Sequence, residues 1–427
     1  MNVNPLGSCL FRRKIRDVKM TKDRIVSGID VGSSKVCTII SQVGENKVSV
    51  VGVSSVPSRG IKKGVVVDID LAVEAISQSL ESAERMAGHA ISDAYVAVNG
   101  SHISSLNSRG VVAVSNPEGE ISLEDVSRAT EAAQAISIPS SQEIVHVLPR
   151  DFIVDNQDGV KNPVGMSGVR LEVETNIIYG SSTTLRNLGK CIAQVGVDIN
   201  DFVFSGIADA RSVLTETEKE LGTVLVDIGG GSTQVCIFVG GSPYYSSVLP
   251  VGGQNITSDL AIGLRTSLEI AEKIKIKFSQ PRKEQEEVID LSSFGLEESE
   301  NFSKKIVDEI IKARLSEIFN LIGGEVKKSG LLGKVPGGIV LTGGGSETRS
   351  SLETARLVLK VPVRIGTPSG ITGLIEEIGG PAHSCSVGLI LYGGSLNPSA
   401  SKFSLFGKGN SPGPVGKALS WFKSFLP

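Results

Sequence analysis

Long apolar runs, paired cysteines and a strong net charge are all missing from this 427-residue chain. No stretch approaches the ~20 consecutive apolar residues of a membrane span, so no spanning helix is expected. The five cysteines (Cys9, Cys37, Cys191, Cys236, Cys385) form no Cys-x-x-Cys pair and have no histidine at metal-ligand spacing, which argues against a zinc site or a redox pair. Four of them lie in or beside apolar runs and read as small hydrophobes in a reducing cytosol. Leu6-Gly7-Ser8-Cys9 has the outline of a lipoprotein processing site, but no basic start or apolar run precedes it, and that reading is rejected. A formal net charge of −3 gives no overall basic character, so nucleic acid is not expected as a partner. The average conceals an asymmetry. Residues 1–24 carry a net +5 and residues 401–427 a net +4, which leaves −12 for everything between them. Basic ends of this kind suit an anionic surface.

What is present begins with size: 427 residues at 40% hydrophobic content suffice for two or more cores. One device then appears twice, 197 residues apart. Asp30 sits in Gly28-Ile29-Asp30-Val31-Gly32-Ser33-Ser34-Lys35, and Asp227 in Val226-Asp227-Ile228-Gly229-Gly230-Gly231-Ser232-Thr233. Each copy has a short apolar run ending in an acid, a turn of glycine and hydroxyl residues, and a second apolar run rich in strand formers. Glycine lets the backbone turn tightly and brings successive N–H groups toward an oxyanion, and the hydroxyls of Ser33, Ser34, Ser232 and Thr233 add donors. A carboxylate at a strand end would repel phosphate directly. Asp30 and Asp227 are therefore candidates to hold a hydrated magnesium ion, with Lys35 as a point charge beside the phosphates. A third glycine turn, Gly343-Gly344-Gly345-Ser346, follows the apolar run Ile339-Val340-Leu341.

Three glycine turns in this order resemble the actin-like ATPase superfamily, in which two hairpins grip the phosphates of ATP and a third turn borders the adenosine. The stretches 161–170, 203–233, 361–366 and 386–393 narrow the resemblance to the FtsA family of bacterial cell-division proteins, over roughly residues 22–427. The resemblance implies an α/β, two-lobed actin-like fold with a duplicated ribonuclease-H-like core and an inserted α+β subdomain. It divides the chain into a basic extension (1–24), a first lobe (25–88 with 166–198 and 381–394), the insert (89–165), a second-lobe core (199–256 with 334–380), an outer second-lobe subdomain (257–333), a linker (395–413) and a terminal helix (414–427). The first nineteen residues have no counterpart in the family, and Met20 reads as an alternative start.

The helix beginning near Glu269 borders ribose and adenine in the superfamily, which makes Glu269, Glu272 and Lys273 candidate contacts beside Gly343, Gly344, Gly345 and Ser346. Glu347-Thr348-Arg349-Ser350 departs from the family's usual continuation after that turn. Where heat-shock ATPases carry a glutamate before their linking helix, this chain has Gly206, so tight ATP binding with slow or negligible hydrolysis is expected. The family's implied partners are the C-terminal peptide of the tubulin-like protein FtsZ, further copies of the chain in filaments, and later division proteins. Arg314, on the helical pattern 305–320, is the candidate FtsZ contact. Residues 281–302 are acidic where the family is basic.

Wound at 100° per residue, Val415, Ala418, Leu419, Trp421, Phe422, Phe425 and Leu426 share an arc of about 160°, with Lys417, Ser420, Lys423 and Ser424 opposite. The chain's one tryptophan lies on the apolar arc, lysines are the helix's only charges, and a Gly/Ser/Pro-rich tether precedes it. That combination suits an in-plane anchor on the cytoplasmic side of the inner membrane. The rival readings on the same fold are a small-molecule kinase and another actin-like membrane scaffold for cell shape or pilus assembly. The local patterns also predict helices over 70–86 and 122–135 and strands over 94–98, 111–114 and 143–148.

Overall fold

The structure, a computed structural model, describes residues 24–44, 47–280, 288–290 and 301–396. Two sheets organise it. In the first, the antiparallel hairpin Arg24–Val31 and Lys35–Val43 is extended by Val48–Pro57 and Thr372–Gly373 on one side, and by Asp93–Val98 and Asp198–Phe204 on the other. In the second, the hairpin Thr223–Ile228 and Thr233–Val239 is followed by Ser242–Leu249, and it carries Ile339–Thr342 and Val363–Ile365 on its parallel side.

The two hairpins repeat each other at residue level. The acid is the penultimate residue of its strand in both, and it faces the second hairpin strand through the pairs Asp30↔Cys37 and Asp227↔Gln234. Thr223–Ile228 is buried along its whole length, which explains why it reads as an unbroken apolar run instead of alternating. Separate cores form against the two sheets, one around Ile29, Val36 and Ile39 and the other around Val226, Val235 and Ile237.

The helices expected over 70–86 and 122–135 form and are capped at their N-termini by side chains. Ile69–Ala87 begins where the Asp68 side chain accepts from Leu71 N (3.1 Å) and ends on Gly88 in the left-handed region. It buries Ala72, Ile76, Leu80 and Ala83 over the first sheet. Leu123–Gln134 starts in a reciprocal capping box between Ser122 and Asp125. Lys304–Lys328 begins one residue before the expected pattern, runs eight residues beyond it at the C-terminal end, and packs on the second core through Ile311, Leu315 and Phe319.

Sheet pairing moves the edges of the insert. Asp93–Val98, expected within it from residue 89, pairs in parallel with Arg24–Val31 and Asp198–Phe204 as a central strand of the first sheet. Arg170–Ser181, expected in the first lobe from residue 166, lies in the insert between Ser104–Ala113 and Gln142–Val154. Asp198–Phe204 belongs to the first-lobe sheet, although the second lobe was expected to begin at 199. The cause is common to all three: an apolar run signals a buried strand, but only its hydrogen-bonded neighbours say which sheet buries it. The insert has its own small core around Val126, Phe152, Leu171 and Val173. Its strand Ser104–Ala113 joins the second-lobe sheet through the pair Ser247↔Ser104, giving nine strands in one continuous sheet.

Two short helices cross where the lobes meet. Ser205–Val213 follows directly from Asp198–Phe204, and Ser384–Ser395 packs across it with Ser212 Oγ donating to Ser384 O (2.8 Å).

The edge strand Val363–Ile365 is tied down by charge. Arg364 grips Glu218 with two hydrogen bonds (2.6 and 2.7 Å), and Glu218 also accepts from Thr215 N in a capping box. Burial alone would raise the Glu218 pKa, but the Arg364 guanidinium and the Thr215 donors outweigh it and hold the carboxyl down at about 2. A depressed folded-state pKa stabilises above the unfolded value near 4.5 and loses its effect as pH falls toward 2. Glu218→Gln is expected to lower stability by about 1 kcal/mol at pH 7, with solvent screening allowed for. Urea titrations of both proteins should converge as pH drops from 4.5 to 2, and a gap that stays constant over that range would refute the assignment.

Candidate functional site

Between the two sheets lies a cavity of about 570 Å³, lined by both hairpin turns and by the third glycine turn. Asp30, Gly32, Ser33, Ser34 and Lys35 reach it from one lobe, and Asp227, Gly229, Gly230, Gly231 and Ser232 from the other. The turns almost touch: a Cβ added at Gly230 would lie 2.7 Å from Ser34 Cβ, and one at Gly231 would lie 2.9 Å from Ser33 Oγ. Gln254 Nε2 spans the gap to donate to Ser33 O (3.1 Å). The second turn is held open by the start of helix Gly253–Gly263, where Gly253 N donates to Gly229 O (2.9 Å) and Gln254 N to Gly230 O (2.8 Å).

Gly343, Gly344 and Gly345 border the same cavity, and Gly343 has φ +78°. Any side chain there would strike the Asp227 carboxylate, since an added Cβ would lie 1.9 Å from its Oδ1. The third turn is thus fitted to the acid of the second.

Several expected contacts are placed elsewhere. Thr233 is buried and donates its hydroxyl to Val251 O (2.8 Å), and Ser346 spends its own on Gly343 O (2.7 Å); neither lines the cavity. Helix Leu268–Ser279 turns Glu272, Lys275, Ile276 and Ser279 toward the cavity, leaving Glu269 and Lys273 exposed and outside its lining. The Glu269 carboxyl is held below its usual range by its own backbone N–H and the Ser267 hydroxyl. Three-residue spacing from Glu272 points to Lys275, the residue missed. Lys275 is buried and donates to Gly253 O (3.1 Å), Thr257 Oγ1 (2.9 Å) and Glu272 Oε2 (2.7 Å), so its three protons brace the helix that supports the second turn. Arg314, the candidate partner contact, forms a two-pronged bond to Asp259 (2.6 and 2.8 Å) and another to Glu317 (2.6 Å), joining two helices of its own lobe. Val415, Lys417, Leu419, Trp421, Phe422, Lys423, Phe425 and Leu426 lie outside the described residues, as do 281–287 and 291–300.

The cavity has further walls that no glycine motif announces. Asn99 enters from the end of Asp93–Val98, Ser205 from the start of the crossing helix, and Ser384 and Cys385 from the other crossing helix. Glu347 and Thr348 continue the wall past the third turn. Beside them the Arg349 guanidinium lies 4.7 Å over the Phe278 ring.

Acids gather at the floor. Burial raises the Asp30 pKa, although Lys35 and a hydrogen bond from Ser386 (3.2 Å) pull it back. Asp227 is pushed up to about 7 by burial and by Asp30. Behind it, burial and Asp227 hold Asp209 well above the carboxylate range, and a hydrogen bond with Ser384 only partly offsets them. Gln234 fits with its amide N–H donating to Asp227 O (2.9 Å) and Oδ2 (2.5 Å), and its carboxamide oxygen accepting from Asn99 Nδ2.

Crowded, under-compensated carboxyls below two N–H-rich turns fit a polyphosphate with a divalent cation. Among the described residues no three His, Cys, Asp or Glu side chains form a metal cage by themselves. A magnesium ion, which keeps several waters and is bound through one or two carboxylates plus phosphate, does not require one.

Comparisons with known proteins give the family and the fold. A family model described as "Cell division protein FtsA" matches residues 224–388, and one described as "SHS2 domain inserted in FTSA" matches residues 100–179, the same unit that sheet pairing separates. The chain is 39% identical to the cell division protein FtsA of Pseudomonas aeruginosa over 374 residues, 87% of this chain and 89% of that protein. It is 38% identical to the Bacillus subtilis FtsA (87% and 84% covered) and 34% identical to that of Escherichia coli (88% and 92%). Among solved structures, the PilM-PilN type IV pilus biogenesis complex superposes with a TM-score of 0.62 at 17% identity, covering 86% of this chain and 98% of that one. MreB5 of Spiroplasma citri bound to ADP gives 0.50 at 14% identity, covering 86% and 95%.

Proposed function

We propose, from the premise that this chain belongs to the FtsA family of cell-division proteins and has their actin-like two-lobed fold, that it binds ATP with magnesium in the interlobe cleft and assembles on the cytoplasmic face of the inner membrane at the division site. There it anchors FtsZ filaments through its terminal amphipathic helix and helps assemble the septum. The observation that carries the nucleotide half is the convergence of two glycine turns and two strand-end acids on one cavity of about 570 Å³.

In this reading Gly32–Lys35 and Gly229–Ser232 offer backbone N–H groups and hydroxyls to phosphate oxygens, and Asp30 and Asp227 hold the waters of a magnesium ion. Magnesium supplies neutralisation of the phosphate charge. Glu272 and the Gly343–Gly345 turn border the nucleoside. Slow hydrolysis is supported by where the remaining acids are. Glu272 is occupied by Lys275 and Thr257, and Glu347 ends the short turn Gly344–Glu347, where the Lys35 charge acts on it. A general base must reach the attacking water, and Asp30 and Asp227 are committed to the cation.

The membrane half rests on the pattern of residues 414–427. A single short amphipathic helix binds reversibly, and joining many copies in a filament turns weak attachment into firm attachment. The FtsZ contact is assigned to the outer second-lobe subdomain, where Arg314 acts as a strut between helices.

Calorimetric titration of the full-length protein with ATP-magnesium tests the nucleotide half. Saturable binding is expected, with Lys35→Ala weakening it by at least about tenfold through loss of one cation beside the phosphates; absence of saturation in the unmodified protein would sink the reading. Trp421 fluorescence with anionic vesicles tests the membrane half. A blue shift that strengthens with ATP-magnesium is expected, and emission unchanged by vesicles would count against the anchor.

A further inference from the structure

Asn99 occupies a place in the cleft that none of the glycine motifs accounts for. It follows Asp93–Val98, the central first-lobe strand, and is the last residue before the insert. It lines the cavity where the two hairpin turns approach each other. Ile276, Ser279, Gln280 and Thr348, from outside both hairpins, line the same cavity.

Both lobes meet at its side chain. Its Oδ1 accepts from Gly100 N (2.5 Å) and lies 3.5 Å from Ser232 Oγ. Its Nδ2 donates to the Gln234 carboxamide, whose own N–H groups go to Asp227. The next residue, Gly100, packs on Gly64, and Gly64 N donates to Ser33 Oγ in the first turn (2.8 Å). Asn99 is therefore in register with Ser33, Ser232 and Asp227 at once, although it belongs to neither hairpin.

A carboxamide has two N–H donors. Gln234 takes one, and no other hydrogen-bond acceptor is found for the second among the described residues. The group that matches a neutral donor between two phosphate-binding turns is the outermost phosphate of a nucleoside triphosphate.

We propose that Asn99 distinguishes a nucleoside triphosphate from a diphosphate in this cleft by contacting the terminal phosphate. This rests on the nucleotide reading above and adds a residue and a specificity to it. The inner phosphates are served by the N–H groups of the two turns, so a diphosphate leaves Asn99 without a ligand.

The test compares ATP-magnesium and ADP-magnesium binding, by calorimetry on the full-length chain, for the unmodified protein, Asn99→Ala and Asn99→Asp. Asn99→Ala is expected to weaken ATP about tenfold, the size of one hydrogen bond to a charged group, and ADP by less than about twofold. Asn99→Asp places a negative charge at the same point and is expected to weaken ATP further while still sparing ADP. Equal losses for both nucleotides would assign Asn99 a merely structural role, and unchanged affinities would show that it makes no contact; either result overturns the proposal. If the unmodified protein bound neither nucleotide, the cleft reading would fall and this assignment with it, a pattern distinct from binding with an unaltered ATP/ADP ratio. Asn99→Ser, which keeps a small polar group, provides the same comparison if the alanine variant does not fold.

Discussion

Gly388→Val is expected to cost the protein about 3 kcal/mol or more of stability, the upper end for overpacking a filled interior. Helices Ser384–Ser395 and Ser205–Val213 cross at Gly388 so closely that an added Cβ would lie 1.9 Å from Ala208 O and 2.9 Å from its Cα. Backbone atoms cannot rotate away as a side chain can, so the helices must separate. Separation opens the core around Ile207, Val213, Leu389 and Ile390. It also strains the bonds from Ser212 to Ser384 and from Ser386 to Asp30, so the first acid of the cleft shifts with the packing. Thermal unfolding measures the effect, and a midpoint lowered by less than about 2 °C would show that the helices can part at little cost. Gly388→Ala should fall in the same direction by a smaller amount.

The second large effect is expected at the site itself. Gly343→Ala should weaken ATP-magnesium binding by about a hundredfold or more while costing less global stability than Gly388→Val. At φ +78° a non-glycine residue is already strained by about 1–2 kcal/mol. The larger consequence is steric, because the new Cβ would occupy a point 1.9 Å from Asp227 Oδ1 and 2.7 Å from Ile228 O. The Asp227 carboxylate must leave the position that Gln234 holds for it. Since that carboxylate acts through magnesium, the loss should be markedly smaller when nucleotide binding is measured in a chelator. Titrations with and without the cation decide it: equal losses would place the effect on the turn and not on Asp227, and affinity within about threefold of the unmodified protein would remove Gly343 from the site.

The site was legible wherever one short segment carries its own reason for being there. Glycine turns flanked by strand formers with an acid at the strand end state their geometry locally, and Asp30, Gly32–Lys35, Asp227 and Gly229–Ser232 all face one cavity. Legibility failed where orientation depends on rotation about a helix axis. Glu269, Glu272 and Lys273 are close in sequence, yet only Glu272 turns inward, and the inward position three residues on is Lys275. It failed again for hydroxyls such as Thr233 and Ser346, whose motif position is right but whose hydrogen bonds go to the protein's own carbonyls.

Asn99 and Asp209 mark the deeper limit. Neither belongs to a glycine turn: Asn99 reaches the cavity only because a strand ends there, and Asp209 comes to lie behind Asp227 only because a helix crosses there.

By itself, then, the sequence determined the duplicated hairpins, the family, the α/β class and the amphipathic pattern of the last fourteen residues, because each depends on period, turn chemistry or local spacing. Tertiary structure alone decided which sheet takes Asp93–Val98 and Arg170–Ser181, that the insert continues the second-lobe sheet through Ser104 and Ser247, and that three buried carboxyls crowd beneath the cleft. Those outcomes depend on hydrogen-bond partners and burial among residues as far as 197 positions apart, and no local pattern encodes them.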